Sequence, residues 1–286
     1  MTSTRPWRSW LYVPGDRPDR IGKALASGAD CVILDLEDAV AQPNKDAARD
    51  AVLEALGRER PVPILVRINA ADSPNQELDL SALRASSRPD GVRVPTCESV
   101  DDVTAIAQQL PGVALHLLIE SAKGLQRVDE LAAAHPQVAT IALGEADLRA
   151  DMRISDDAHL GYARGRLVAA AAAAELTAPP QSVFTNVDDL DGLRITSLQA
   201  KAAGFFGRTV IHPSQVEIVN SVFLPTNAEV DQARALVEAL DANDDQAALV
   251  LPDGRFVDPA VARSAREVLH LADSYGTSDA PLKGVS

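Results

Sequence analysis

The sequence predicts an α/β protein, a (β/α)8 TIM barrel followed by a C-terminal helical extension that acts as a lid or subunit contact. Eight short β-branched runs alternate with Ala-rich amphipathic stretches, which is the pattern of successive β/α units. No long linker interrupts them, which favours a closed barrel. An apolar fraction of 46% with only 3% aromatics suits a parallel sheet packed closely by helices, and 286 residues accommodate such a barrel as one domain.

The first expected strand is Leu11 to Pro14, with a helix near Pro18 to Ala26. Cys31 to Leu36 is a continuous apolar run, as befits a strand buried on both faces. A helix from about Lys45 to Leu56 precedes a strand at Ile64 to Ile68. Gly91 to Val94, Leu115 to Ile119 and Thr140 to Leu143 are three further strands, and Ser182 to Thr185 and Thr209 to Ile211 bring the count to eight. An open doubly wound sheet would need a glycine-rich dinucleotide turn after its first strand, and PGDRPDR is not one. Residues 1–225 are therefore expected to form the barrel. Residues 226–286 carry helices at about Asn227 to Leu240 and Pro259 to Ser274, with a hairpin at LVLPDGRFVD between them. The run Ala169 to Ala174 is a strong helix former.

A formal charge of −14 argues against general affinity for nucleic acid or anionic membranes. The early basic run Arg5, Arg8, Arg17, Arg20 and Lys23 stands out in this acidic chain as a place to recruit a small anion. Cys31 and Cys97 lack metal-ligand spacing and read as buried free thiols in strands. No apolar signal segment or run of about 18 apolar residues occurs, so a soluble cytoplasmic protein is expected.

In a β/α barrel the active site lies at the C-terminal ends of the strands. Those ends deliver Asp35, Glu37 and Asp38, then Arg67 and Asn69, then Glu98, Glu120, Glu145 with Asp147, and His212. Glu120 and Asp147 on adjacent strands, facing the cluster Asp35 to Asp38, repel unless compensated. A hard divalent cation is one compensation, since two carboxylates with waters and substrate oxygens make a normal magnesium shell. Pairing by Arg67 and backbone amides is the other. Arg67 can hold a substrate carboxylate in a bidentate fork or form a salt bridge to the Glu37 region, the acid then orienting the arginine. His212, between a buried strand and Pro213, reads as a turn residue or as a group that meets the substrate.

In order along the chain, WLYVPGDRPDR, VILDLEDAV, VRIN, LIESAKGL, GEADL and IHPSQ resemble the citrate lyase β-subunit-like branch of the HpcH/HpaI aldolase superfamily, which includes malyl-CoA and citramalyl-CoA lyases. The resemblance runs from about Trp10 to Pro225, and GRFVDPAVARSA looks like the family's C-terminal segment. It implies a barrel assembled as a homotrimer or hexamer, with magnesium (or manganese) on Glu120 and Asp147 and substrate on Arg67. It also implies an acidic cluster of Asp35, Glu37 and Asp38 beside the metal, and CoA phosphates near Arg17, Arg20 and Lys23. Asp258 aligns with an acid that the tail of one subunit inserts into its neighbour's site. Two motifs depart from the family. Thr96 in VPTCES replaces a lysine, and GEADL places an acid at Glu145 and leaves Ala146 where another acid is usual.

The activity implied is magnesium-dependent cleavage of a 3-hydroxyacyl-CoA of malyl, citramalyl or citryl type to a 2-oxo acid and an acyl-CoA. Arg67 would steady the charge, and Asp258 would exchange a proton with the acetyl methyl group. Alternatives are a CoA-independent aldolase of 2-oxo acids, a partner-dependent citrate lyase β-like subunit, and an acyl-CoA thioesterase.

Overall fold

The computed structural model describes residues 5–85, 88–241, 249–250, 256–257 and 259–277. The chain divides into two compact units, Pro6–Asn220 and a second made of Met1–Arg5 with Ser221–Ser286.

The larger unit is built on a parallel sheet of seven strands: β1 (Ser9–Pro14), β2 (Cys31–Asp35), β3 (Ile64–Arg67), β4 (Gly91–Val94), β5 (Ala114–Ile119), β6 (Val138–Leu143) and β7 (Arg208–Val210). Their order is β6-β5-β4-β3-β2-β1-β7. The helices are α1 (Pro18–Leu25), α2 (Lys45–Leu56), α3 (Asn75–Ala85), α4 (Val100–Gln109), α5 (Ala122–Gln126), α6 (Val128–Ala132), α7 (Glu145–Met152), α8 (Gly161–Ala173), α9 (Leu190–Ala202) and α10 (Val216–Val222). The apolar strand runs are buried on both faces, with Val32, Ile33, Leu34, Ile64, Leu65 and Val66 fully enclosed. Trp10, Cys31, Ile33 and Leu65 form a cluster against which Trp7 and Tyr12 pack.

The expected strand Ser182 to Thr185 does not form. Only a single bridge, Gln181 to Arg208, stands in its place. Just upstream, Pro179 and Pro180 supply no N–H donors, so no ladder extends back from Gln181 through them. The segment still spans the gap between β6 and β7. Gln181 N–H donates to Gly207 (3.0 Å), Thr209 N–H donates to Gln181 (2.9 Å), and Phe206 N–H donates to Pro179 (3.0 Å). Toward β6, Thr177 N–H reaches the Ala139 carbonyl and Ser182 Oγ donates to the Leu143 carbonyl at 2.6 Å. The result is a curled seven-stranded, barrel-like sheet rather than an eight-stranded ladder.

The second unit contains helices α11 (Asn227–Asp241) and α12 (Pro259–Tyr275). Strand β8 (Leu249–Val250) pairs antiparallel with β9 (Phe256–Val257), which agrees with the expected hairpin. Asp258 lies outside the described residues. None of the described helices is long and apolar enough to cross a membrane.

Candidate active site

One row of paired residues crosses the sheet: Asp35 with Arg67, Arg67 with Arg93, Arg93 with His116, and His116 with Thr140. At its β2–β3 end, Arg67 meets Asp35 in a two-pronged fork, Nε to Oδ1 at 2.7 Å and Nη2 to Oδ2 at 2.6 Å. Asp35 also accepts the N–H groups of Glu37 (2.8 Å) and Ala39 (3.2 Å). Its oxygens are saturated and buried, so Asp35 orients Arg67.

Glu37 approaches Arg67 Nη1 at 2.9 Å, though no N–H is aligned on its Oε2, while Asp38 is exposed and touches the same nitrogen at 3.5 Å. Burial pushes the Glu37 carboxyl up to about 8, against the opposing pull of Arg67. Burial works against the Arg67 charge, yet the fork with Asp35 raises its pKa. The Tyr12 ring lies 4.9 Å from that guanidinium.

Glu120 follows β5 and Asp147 sits in the first turn of α7, just past the neighbouring strand β6. Thr96 N–H and Thr96 Oγ1 donate to one Glu120 oxygen, at 2.6 and 2.8 Å. Burial raises the Glu120 pKa, the Thr96 hydrogen bonds oppose this, and the Asp147 charge raises it further. Gly144 is needed here, because a Cβ would lie 2.6 Å from Glu120 Cβ and collide with Glu120 Oε2. Asp147 is exposed in the first turn of α7. Among the described residues no group of three or more His, Cys, Asp or Glu side chains forms a metal set. Any hard cation would therefore rest on this pair with backbone, water or ligand oxygens completing its shell.

A cavity of about 100 Å³ is lined by Arg67, Arg93, Glu120, Asp147, Ser182 and Thr209, among others. It shares Glu145, Ala146, Ser182 and Val183 with a larger pocket of about 670 Å³, whose walls include Arg164, Phe184 and Arg208. Glu145 is held by the Arg164 fork (2.8 Å twice) and by Gln181 at 3.1 Å, so it takes no part in the Glu120–Asp147 pair.

Other strand-end residues have structural partners. Asn69 donates twice to Asp79, and Glu98 is bonded to Ser121 Oγ and Lys123. His212 caps the turn Pro213–Gln215 and pairs Nδ1 with Ser214 Oγ at 2.7 Å, which fits the turn role. The basic run is not one cluster. Arg8 is forked to Asp30 (2.9 Å twice) at the start of β1, Arg17 is forked to Asp19, and Arg20 and Lys23 stand exposed on α1. Both cysteines are free and buried, but Cys97 follows β4 instead of lying in it.

The site residue that sequence reasoning passes over is Arg93, a buried cation in the middle of β4. Its signal was available: a lone charge inside the apolar run GVRVP, on the same side of the strand as Gly91.

The family model described as HpcH/HpaI aldolase/citrate lyase matches residues 8–213. A (3S)-malyl-CoA thioesterase of Cereibacter sphaeroides (strain ATCC 17025) is 35% identical over 276 residues, covering 94% of this chain and 95% of that protein. The citrate lyase subunit beta of Escherichia coli (strain K12) is 33% identical over 290 residues, covering 96% and 95%. Among solved structures, CitE from Mycobacterium tuberculosis in complex with magnesium, acetoacetate and coenzyme A superposes with a TM-score of 0.80 at 31% identity, over 94% of this chain and 100% of that one.

Proposed function

The chain belongs to the HpcH/HpaI aldolase/citrate lyase family and is an enzyme of the carbon–carbon lyase type, and from that premise we propose that it cleaves a 3-hydroxyacyl-CoA to a 2-oxo acid and an acyl-CoA with magnesium. The observation that carries this reading is the Glu120–Asp147 pair on adjacent strand ends, opening on the cavity that Arg67 also lines. The pair fits a hard cation. Its donors are oxygens, Thr96 occupies one Glu120 oxygen, and the missing Cβ at Gly144 leaves room for the other. The Asp147 charge raises the cost of ionising Glu120, and a cation would relieve it. The Mycobacterium tuberculosis CitE that holds magnesium and coenzyme A supports the same assignment.

Bound there, magnesium supplies Lewis-acid polarisation of hydroxyl and carboxylate oxygens. The chain supplies position and proton control. Asp35 fixes the plane of Arg67, so that the guanidinium faces developing oxyanion charge without having to reorganise. Glu37, whose proton affinity lies close to neutral pH, is the group beside Arg67 suited to exchange the substrate's hydroxyl proton. Arg20 and Lys23 remain the cations for CoA phosphates, since Arg17 is engaged with Asp19. The same reading puts Asp258 of a neighbouring chain over the site, in a cytoplasmic homotrimer or hexamer.

Thioester hydrolysis is the second reading, favoured by the 35% identical relative named a (3S)-malyl-CoA thioesterase. The products separate the two. Purified protein with magnesium and malyl-CoA or citramalyl-CoA yields oxo acid without free thiol if it is a lyase, and free thiol without oxo acid if it is a thioesterase. Neither product from any thioester would defeat both.

A further inference from the structure

The proposed lyase chemistry leaves Arg93 unused. Arg93 is 1% exposed, and an arginine keeps its charge even when buried. Its Nε and Nη1 are buried with no hydrogen-bond partner. Arg67, one strand away, is surrounded by three carboxylates: Asp35, Glu37 and Asp38. No carboxylate forms an ion pair with Arg93 among the described residues, although the Arg67 cation is its register partner on β3. The Trp10 ring lies 5.6 Å from its guanidinium, and burial drives the neighbouring His116 to about 3, which leaves that imidazole uncharged. A cation–π contact at that distance compensates a buried guanidinium poorly.

Arg93 nevertheless lines the same cavity as Glu120 and Asp147. It forms the floor, because Glu120 lies beyond the end of β5 while Arg93 pairs with His116 inside that strand. Thr209, whose Oγ1 is also buried without a partner, lines the cavity too. Two residues that line one small cavity thus carry buried donors without partners, one of them cationic, and together they suit an anion with two oxygens.

We propose that Arg93 anchors a carboxylate of the oxo-acid half of the substrate at the floor of this cavity, with Thr209 as a second donor. The identity of the ligand rests on the lyase reading; the existence of a carboxylate site does not. A carboxylate at the floor is either the sole one of a monocarboxylic oxo acid or the second one of a dicarboxylic oxo acid. The second fits better, since it leaves the first carboxylate at the Glu120–Asp147 level.

Calorimetric titration of the magnesium-loaded protein with pyruvate and with oxaloacetate tests this, with CoA as a control and melting measured without ligand. Arg93→Met should weaken oxaloacetate tenfold or more, leave CoA binding unchanged and not lower the melting temperature. An equal loss for pyruvate puts the sole carboxylate on Arg93, and a loss confined to oxaloacetate puts the second one there; both support the site. Wild-type affinity for both acids in Arg93→Met overturns it, as does failure of the wild type to bind either. Should Arg93→Met not fold, Arg93→Lys carries the test: it exchanges a fork for a point charge and should weaken oxaloacetate several-fold, and wild-type affinity there overturns the site. Arg93-dependent binding without thioester cleavage would remove the lyase reading and leave this one standing.

Discussion

Thr96 holds a single oxygen of Glu120 with two donors, its backbone N–H at 2.6 Å and its hydroxyl at 2.8 Å, and it does so from left-handed backbone with φ at 47°. A β-branched residue rarely adopts that conformation, so the fold accepts local strain where it fixes a carboxylate. Both donors favour the ionised form of Glu120 against the burial that opposes it. Thr96→Ala removes the hydroxyl bond to a charged acceptor, an interaction of about 1.5–3 kcal/mol. Magnesium affinity, measured by calorimetry, should fall by about tenfold or more, and Thr96→Ser should restore most of it. Unchanged affinity in Thr96→Ala would separate Glu120 from metal binding.

Gly144 is the steric counterpart of that clamp. Gly144→Ala would place a methyl 2.6 Å from Glu120 Cβ and against its free oxygen, so Glu120 must turn away from Thr96. The variant should fold, with unchanged far-ultraviolet circular dichroism, and lose magnesium binding and turnover. Wild-type turnover in Gly144→Ala would show that Glu120 needs no fixed position.

Glu37 makes stability depend on pH. Its pKa is raised from 4.5 to about 8, so between those values the folded state holds a proton that the unfolded state has released. Stability therefore declines as pH rises through that window. Denaturant midpoints of metal-free protein should fall from pH 5 to pH 8, and Glu37→Gln should flatten the decline. An equally steep fall in Glu37→Gln would assign the effect to another group.

Arg67 is structural as well as functional. Arg67→Met strands Asp35, which is 1% exposed and would lose both prongs of its fork. Removing one partner of a buried pair costs about 3–5 kcal/mol, so urea unfolding should show a loss of that size alongside the loss of activity. If Asp35→Asn combined with Arg67→Met is no more stable than Arg67→Met alone, the stranded charge is not the cause.

The contrast between these residues explains what the sequence made legible. Strands such as Cys31–Asp35 and Ile64–Arg67 announce themselves because burial on both faces demands an unbroken apolar run. Ser182 to Thr185 carries only two apolar residues between Ser and Thr, and only a bridge at Gln181 stands in its place. The carboxylates at strand ends were visible, but their duties were not. Asp35, Glu37 and Glu120 look alike in one dimension, and only tertiary contact separates the acid that saturates Arg67 from the acid that shares a cavity with Asp147. The basic run dissolved for the same reason, since Asp30 lies 22 residues from the Arg8 it neutralises.

Cleavage of a CoA ester under control of the Glu120–Asp147 pair tests the central claim most directly. Malyl-CoA, citramalyl-CoA and methylmalyl-CoA would be incubated with the magnesium-loaded protein, and oxo-acid release followed with and without chelator and in Asp147→Ala. The account predicts oxo acid from at least one thioester, abolished by the chelator and reduced by at least a hundredfold in folded Asp147→Ala. Release that persists undiminished in the chelator and in Asp147→Ala would contradict it.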